Sequence, residues 1–207
     1  MNRILSFAAM AGLLVLSACG TASDSAFLRI ANTLKQSTMP GQQPSLEAQR
    51  AAVIQTVRNA GQSDPVLMIE LPANNAVAST IIGGRNGGAV TWLDATGVSV
   101  TTRNGVVIAT RGLGYDLMAS DMRGTISALS GRTASYGRLH RYLDAEGVLN
   151  SVTFSCQPSR NGATLTERCT SGRDSFVNTY QLNGSTVVRS RQWIGPVVGY
   201  ADLVRLQ

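Results

Sequence analysis

Lysine and histidine are nearly missing from this chain: among its 207 residues there is one of each, Lys35 and His140. Charged residues of all kinds reach only 14%. No G-x-S-x-G elbow, H-E-x-x-H helix or P-loop occurs, so those three signatures of hydrolase, zinc-protease and nucleotide chemistry are absent. There is no internal repeat of helical length and no low-complexity tract. The uncharged apolar run from Ile4 to Leu16 falls short of the ~20 residues of a membrane-spanning helix. Cysteine occurs only at positions 19, 156 and 169. Carboxylate pairs for glycoside hydrolysis leave no mark in a sequence, because they meet only in space.

What is present points to β structure. Hydrophobic residues make up 43%, enough for an ordinary core and against global disorder. Sparse charge with many Gly, Thr and Val fits an extended, turn-rich chain. The formal charge is +6, and all but one of the 18 basic residues are arginine. A basic surface suits nucleic acid, anionic lipid or an acidic polymer, although most of these arginines are expected simply to solvate the surface.

Residues 1–18 have the three-part layout of an export signal: Arg3, the apolar run, then Ser17 and Ala18. With Cys19 they form Leu16-Ser17-Ala18-Cys19, which resembles the bacterial lipobox. That resemblance implies diacylglycerol on the Cys19 thiol, cleavage before it and acylation of the new amino group. At ~0.8 kcal/mol per buried methylene, three chains anchor permanently. Gly20 in place of Asp resembles the outer-membrane sorting pattern, so the expected location is the periplasmic face of that membrane, with residues 19–25 as a lipidated tether. An exported chain matures where disulfides persist. With Cys19 lipidated, Cys156 and Cys169 remain to pair, and Asn161-Gly162 between them signals a hairpin. No histidine or further cysteine lies nearby to complete a metal site. Export also disfavours nucleic acid as a partner.

Residues 26–207 read as one mainly β domain with N-terminal helices over 26–61. Phe27, Ile30, Ala31 and Leu34 share a helical face. A second helix starts at Ser45 with Leu46, Val53, Ile54 and Val57 on one face, and Gly61 sits where a C-terminal cap belongs. After Pro65 the period becomes that of strands: 66–71, 76–83, 88–93, 98–103 and 106–111. Asn104-Gly105 predicts a type I′ turn, with Val98, Val100, Val107 and Ala109 on one face. Residues 112–135 show no clear period; a crossover or a short helix around Tyr115 to Met122 is expected. Hairpins turning at Asp144–Gly147, Asn161-Gly162 and Asn183-Gly184 follow, and the tail adds a last strand. Such an antiparallel meander tends to curl into a barrel-like or sandwich domain.

The segment GGAVTWLDATGVSVTTRNGVVIATRGLGYDL, the lipobox start and the ending SRQWIGP together resemble the YjbF/GfcB family of bacterial lipoproteins. Trp92, Gly97, Thr110, Gly112 and Leu113 match its pattern. The resemblance implies a mainly β, barrel-like fold with an N-terminal helical part and a role in exopolysaccharide or group 4 capsule production. Its implied partners are other envelope proteins, including an outer-membrane β-barrel. It brings no catalytic residue and no cofactor. Gly97 is expected in a turn needing positive φ, and Trp92 in the core.

Of the chemistry-bearing residues, His140 with Asp144 or Asp116 is the nearest thing to a general base; it is expected instead to be an outward strand residue beside a turn. Binding an acidic polysaccharide needs aromatic faces and planar donors. Trp92, Tyr115 and Trp193 with Arg111 and Arg141 are the candidate ligand-binding residues on those grounds. The chain is expected to be a non-enzymatic accessory factor, with a polysaccharide-modifying enzyme or a structural lipoprotein docking an outer-membrane barrel as the alternatives.

Overall fold

The computed structural model describes residues 43–61, 63–132, 134–144 and 146–206. Cys19 and the helix expected around Phe27 to Leu34 lie outside the described residues. Helix α1 (Leu46–Ala60) is followed by β1 (Val66–Leu71), β2 (Ala76–Asn86), β3 (Ala89–Leu93), β4 (Ser99–Arg103), β5 (Val106–Arg111) and β6 (Asp116–Ser120). Helix α2 (Arg123–Leu129) leads to β7 (Tyr136–Leu143), β8 (Leu149–Asn161), β9 (Thr164–Thr170), β10 (Ser175–Asn183), β11 (Thr186–Gly195) and β12 (Gly199–Leu206).

These strands form one 12-stranded sheet in the order β5-β4-β3-β2-β1-β12-β11-β10-β9-β8-β7-β6. Each strand pairs with its neighbour in sequence, and β12 returns to β1, from Val66↔Leu206 to Glu70↔Asp202. Only β5 and β6 share no ladder, so the sheet is a nearly closed up-and-down barrel. Side chains bridge the gap. Thr110 Oγ1 accepts from the Leu117 amide (3.0 Å) and donates to Asp116 Oδ1 (2.9 Å). The Asp116 carboxylate also takes the amides of Gly112 (2.9 Å) and Leu113 (3.2 Å). Farther along β5, Gln192 of β11 stands in for a strand. Its Oε1 accepts from the Val107 amide and its Nε2 donates to the Gly105 carbonyl, both at 2.8 Å. An unpaired buried edge would leave these groups without partners. The same bonds pull β5 across the lumen onto β11.

Helix α1 forms where its caps and apolar stripe predict. Ser45 accepts from the Ala48 amide, and Gly61 closes the helix at φ 57°. Val53 and Val57 pack on Val66, Met68 and Val77, the outer face of β1 and β2. Leu67 and Ile69 meanwhile point into the lumen core with Trp92, Val100 and Leu203. Strand β1 is therefore buried on both faces, which is why VLMIEL reads as a continuous apolar run.

Local departures from the expected pattern have identifiable causes. The 104–105 turn has both residues at positive φ (50° and 78°), as type I′ requires. A bulge at Thr101/Thr102 then shifts the pairing to Val100↔Thr110 and Thr101↔Ala109. Thr110, not Ala109, shares the face of Val100 and Val107. Residues 112–135 contain a strand, β6, where a helix or crossover was expected around 115–122; the helix comes later, at Arg123. The hairpins at 161 and 183 turn one residue further on, with Asn161↔Thr164 and Asn183↔Thr186 as closing pairs.

Cys156 and Cys169 are direct cross-strand partners on β8 and β9, and their sulfurs are bonded. Both are fully buried. The bridge spans a sequence separation of 13, so the Cys156→Ser/Cys169→Ser variant should lose about 3 kcal/mol in the chain-entropy account. Equilibrium urea unfolding checks this; a loss under about 1 kcal/mol would contradict the entropic reading.

Candidate functional site

Alternation of strand direction gives the barrel two ends. At the proximal end the chain joins the fold: the Asn75 side-chain amide donates to the Pro44 carbonyl (3.3 Å). This end carries the connections 72–75, 94–98, 112–115, 144–148, 171–174 and 196–198. The distal end carries 87–88, 104–105, 121–135, 162–163 and 184–185.

Charge divides between the two. The distal end presents Arg58, Arg85, Arg103, Arg123, Arg132, Arg160 and Arg205, all exposed. Acidic groups there are few, and one of them, Asp121, is paired with Arg123 (2.6 Å). Arg160 is tied to the Leu129 carbonyl at the end of α2 (3.0 Å). Among the described residues, Arg85, Arg103 and Arg205 make no ion pair. The proximal end instead holds Asp94, Asp116, Asp144, Glu146 and Asp174, against Arg111 and Arg173.

A lumen cavity of about 360 Å³ lies at this end, with Arg205 and Arg189 as the arginines of its lining. Its wall mixes Trp92, Thr102, Asn104, Thr186, Ser190 and Arg205. Leu67, Thr80, Leu203 and Arg205 lie on the inner face by register, so Arg205 at the end of β12 reaches over the mouth. Trp92 is 6% exposed and donates through Nε1 to Thr102 Oγ1 (3.0 Å). A ring wall, hydroxyls and an unpaired guanidinium are the groups that bind an anionic sugar: stacking for the ring, neutral bonds for hydroxyls, a planar fork for carboxylates.

Behind this cavity the barrel core is polar. Arg138 of β7 and Glu167 of β9 form a fully buried ion pair (2.7 Å). Arg138 Nε donates to His140 Nε2 (2.7 Å), and His140 Nδ1 lies 2.6 Å from the Tyr142 hydroxyl. His140 is thus an inward residue with no exposed surface, which corrects the expectation that it faces outward. On β7 the inward set is Arg138, His140 and Tyr142, while Arg141 is exposed. Its polar-looking face is the buried one. Burial and the adjacent Arg138 lower the His140 pKa to about 2. Neither Asp116 nor Asp144 bonds to it; both spend their carboxylates on turn amides.

The five candidate ligand residues do not converge. Trp92 lines the distal cavity. Trp193 is core, stacked on Phe176 at 4.8 Å and 10°. Tyr115 lies at the proximal end against Tyr142 (5.5 Å). Arg111 donates to the Thr110 and Leu117 carbonyls at the β5–β6 seam. Arg141 stands on the outer wall of β7. Gly97 has φ 91°, as its turn demands, and Trp92 is buried as expected.

The distal arginines were the residues missed, although a signal existed. Arg-Asn-Gly recurs at 85–87, 103–105 and 160–162. In a meander, every second turn faces the same way, so turns of equal parity gather their flanking residues at one end.

A family model described as "Group 4 capsule polysaccharide lipoprotein gfcB, YjbF" matches residues 42–206. Among solved structures, the crystal structure of the hypothetical lipoprotein YmcC from Escherichia coli (K12) is similar, with a TM-score of 0.64 and 19% identity. The match covers 81% of this chain and 97% of that one, and at this identity it speaks for the fold alone. Comparison with curated proteins finds no match.

Proposed function

Because this chain belongs to the YjbF family of group 4 capsule polysaccharide lipoproteins, we propose that it is a non-enzymatic accessory factor in capsule or exopolysaccharide production or export that holds an acidic polymer at its distal end. The family carries a general role in capsule polysaccharide production and attachment to a membrane. The finer reading places it on the periplasmic face of the outer membrane through Cys19, beside an outer-membrane β-barrel and other export proteins. The observation that carries the polymer-binding reading is a cavity of about 360 Å³ with Arg189 and Arg205 in its wall, at the end of the barrel that also exposes Arg85, Arg103 and Arg160. Sealing of the lone histidine in the core, and the spending of Asp94, Asp116 and Asp144 on turns, support a role without catalysis.

Exposed ion pairs contribute roughly 0.5 kcal/mol each, so Arg85→Ser/Arg103→Ser/Arg205→Ser should weaken binding of an acidic capsular polysaccharide about tenfold. Interferometry with the full protein at about 50 and about 300 mM salt also tests screening: the affinity should fall with salt. Binding that ignores both salt and the triple substitution would sink the proposal.

A further inference from the structure

The proximal end holds a second cavity, of about 270 Å³, with the opposite chemistry. Ile69, Leu71, Val98, Val100, Leu113 and Ile194 are the large aliphatic side chains of its wall, with alanines between them. The polar side chains at its edge are already engaged. The Thr80 hydroxyl donates to the Leu67 carbonyl (2.8 Å), and that of Thr110 is spent on Asp116 and Leu117. The Asp94 carboxylate accepts from the amides of Thr96 (2.8 Å) and Val98 (2.9 Å). The two threonine hydroxyls have their protons committed and Asp94 is turned to its own loop, and an aliphatic cavity of this kind takes apolar guests.

Two further observations bear on what the guest is. The large aliphatic side chains exposed among the described residues are Val148, Leu149 and Val197. All three lie in or beside the 144–148 and 196–198 connections, at this same end. The chain also joins the fold here, beside Asn75. A member of a lipoprotein family works beside a bilayer, which supplies unbranched acyl chains.

We infer that the proximal cavity is a binding site for an unbranched acyl chain, which inserts methyl end first between β2, β4 and the 112–115 loop. Its volume of about 270 Å³ accepts ~9 groups the size of a water or methylene, at roughly 30 Å³ each. The exposed aliphatics then cover the part of the chain outside the mouth. This assignment does not depend on what the distal end binds.

Both a bilayer phospholipid and a free fatty acid carry such a chain. The full chain is placed in phosphatidylethanolamine vesicles with either a diazirine-bearing phospholipid or a diazirine-bearing fatty acid, illuminated, and its adducts mapped by mass spectrometry. Adducts are expected on the peptides carrying Leu71, Val98 or Leu113, and the probe that produces them names the source. Ala78→Phe fills the cavity from β2. Leu113→Asp sets a charge in the wall from the 112–115 loop, at a partly buried position packed against the core, so its folding is checked by urea unfolding alongside. Each should reduce those adducts roughly tenfold, because bulk or an unpaired carboxylate excludes the chain. Absence of adducts from these peptides with both probes, or adducts that survive both substitutions, would overturn the assignment.

Discussion

Acidifying the protein from pH 6.5 to pH 4.5 should remove about 2 kcal/mol of folding stability through His140. In the unfolded chain a histidine takes up its proton near pH 6.5. In the barrel, burial first and Arg138 second lower the pKa to about 2. The geometry explains the direction. Arg138 Nε–H points at His140 Nε2 from 2.7 Å, so that nitrogen must accept. The ring proton then sits on Nδ1 and is donated to the Tyr142 hydroxyl. A proton on Nε2 would face another N–H in a site closed by Phe154, Phe176 and Trp193. Below pH 6.5 the unfolded state therefore binds one proton more than the folded state, and stability falls as pH falls, by about 1.4 kcal/mol per unit. The contribution is complete above pH 6.5 and is lost progressively toward pH 2. Asp202 works the other way: burial, aided by Glu70, raises its pKa, so the folded state gains its proton first. It is partly exposed and only tempers the slope. Glu167 and Asp121, whose carboxyl pKa values are also lowered, add to the loss only near pH 4.5, so urea unfolding at pH 6.5, 5.5 and 4.5, compared with a variant lacking the sole histidine, separates the His140 share. His140→Gln should flatten the profile whatever it costs in absolute stability. A flat wild-type profile, or an unchanged slope in the variant, would refute the assignment.

The strands were legible in the sequence wherever a turn with a fixed backbone demand separated them. Asn104-Gly105, the Asp94–Gly97 turn and the 144–147 turn all mark hairpins that form. What the sequence could not place was the bulge at Thr101/Thr102, since a bulge is chosen by how the bent strand meets β11, far away in the chain. Strand β6 was hidden for a related reason. Two of its ladder groups are exchanged for Thr110 and Arg111 side chains at the seam, and a short edge strand of this kind needs little alternation. His140 was misplaced because periodicity assumes an apolar inside, and on β7 the inward residues are Arg138, His140 and Tyr142.

The two ends of the barrel show the same limit at the level of function. Single residues chosen for their chemistry, such as Arg111 and Arg141, fell on a seam and on an outer wall. Parity is the better guide. Once the chain is known to be a meander, Arg85, Arg103 and Arg160 must gather at one end, and Asp94, Asp116 and Asp144 at the other, because strand direction alternates. The resulting charge axis runs along the barrel, with an apolar cavity at its acidic end and a polar one at its basic end.

Glu167 holds that axis together, and replacing it with glutamine should cost about 3–5 kcal/mol, the range for breaking a buried ion pair on one side. Its Oε1 accepts from Thr125 Oγ1 (2.6 Å) and the Tyr136 hydroxyl (2.5 Å). Its Oε2 accepts from Arg138 Nη1 (2.7 Å) and Asn178 Nδ2 (2.8 Å). Burial alone would raise the carboxyl pKa; the Arg138 charge and these donors outweigh it and hold it below the usual range. Every partner is a donor, so a glutamine amide must turn its own N–H groups toward at least one of them. It also strands the Arg138 charge in the core. Asn178 would feel the change next, because its Oδ1 accepts the Trp193 amide at the β11 bulge (2.7 Å). Thr125 belongs to α2 at the distal end, so loosening Glu167 should also free the 121–135 connection and its arginines. Two measurements separate the electrostatic account from simple loss of packing. Urea unfolding should show the full deficit in Glu167→Gln, and the Arg138→Met/Glu167→Met variant should recover only the share due to the stranded charge, since Thr125, Tyr136 and Asn178 still lose their acceptor. Hydrogen exchange should place the loss of protection in α2 and β7 before β1 and β12. If Glu167→Gln unfolds within about 1 kcal/mol of the wild type, the carboxylate is not the centre of this core and the polar network must be held by other bonds.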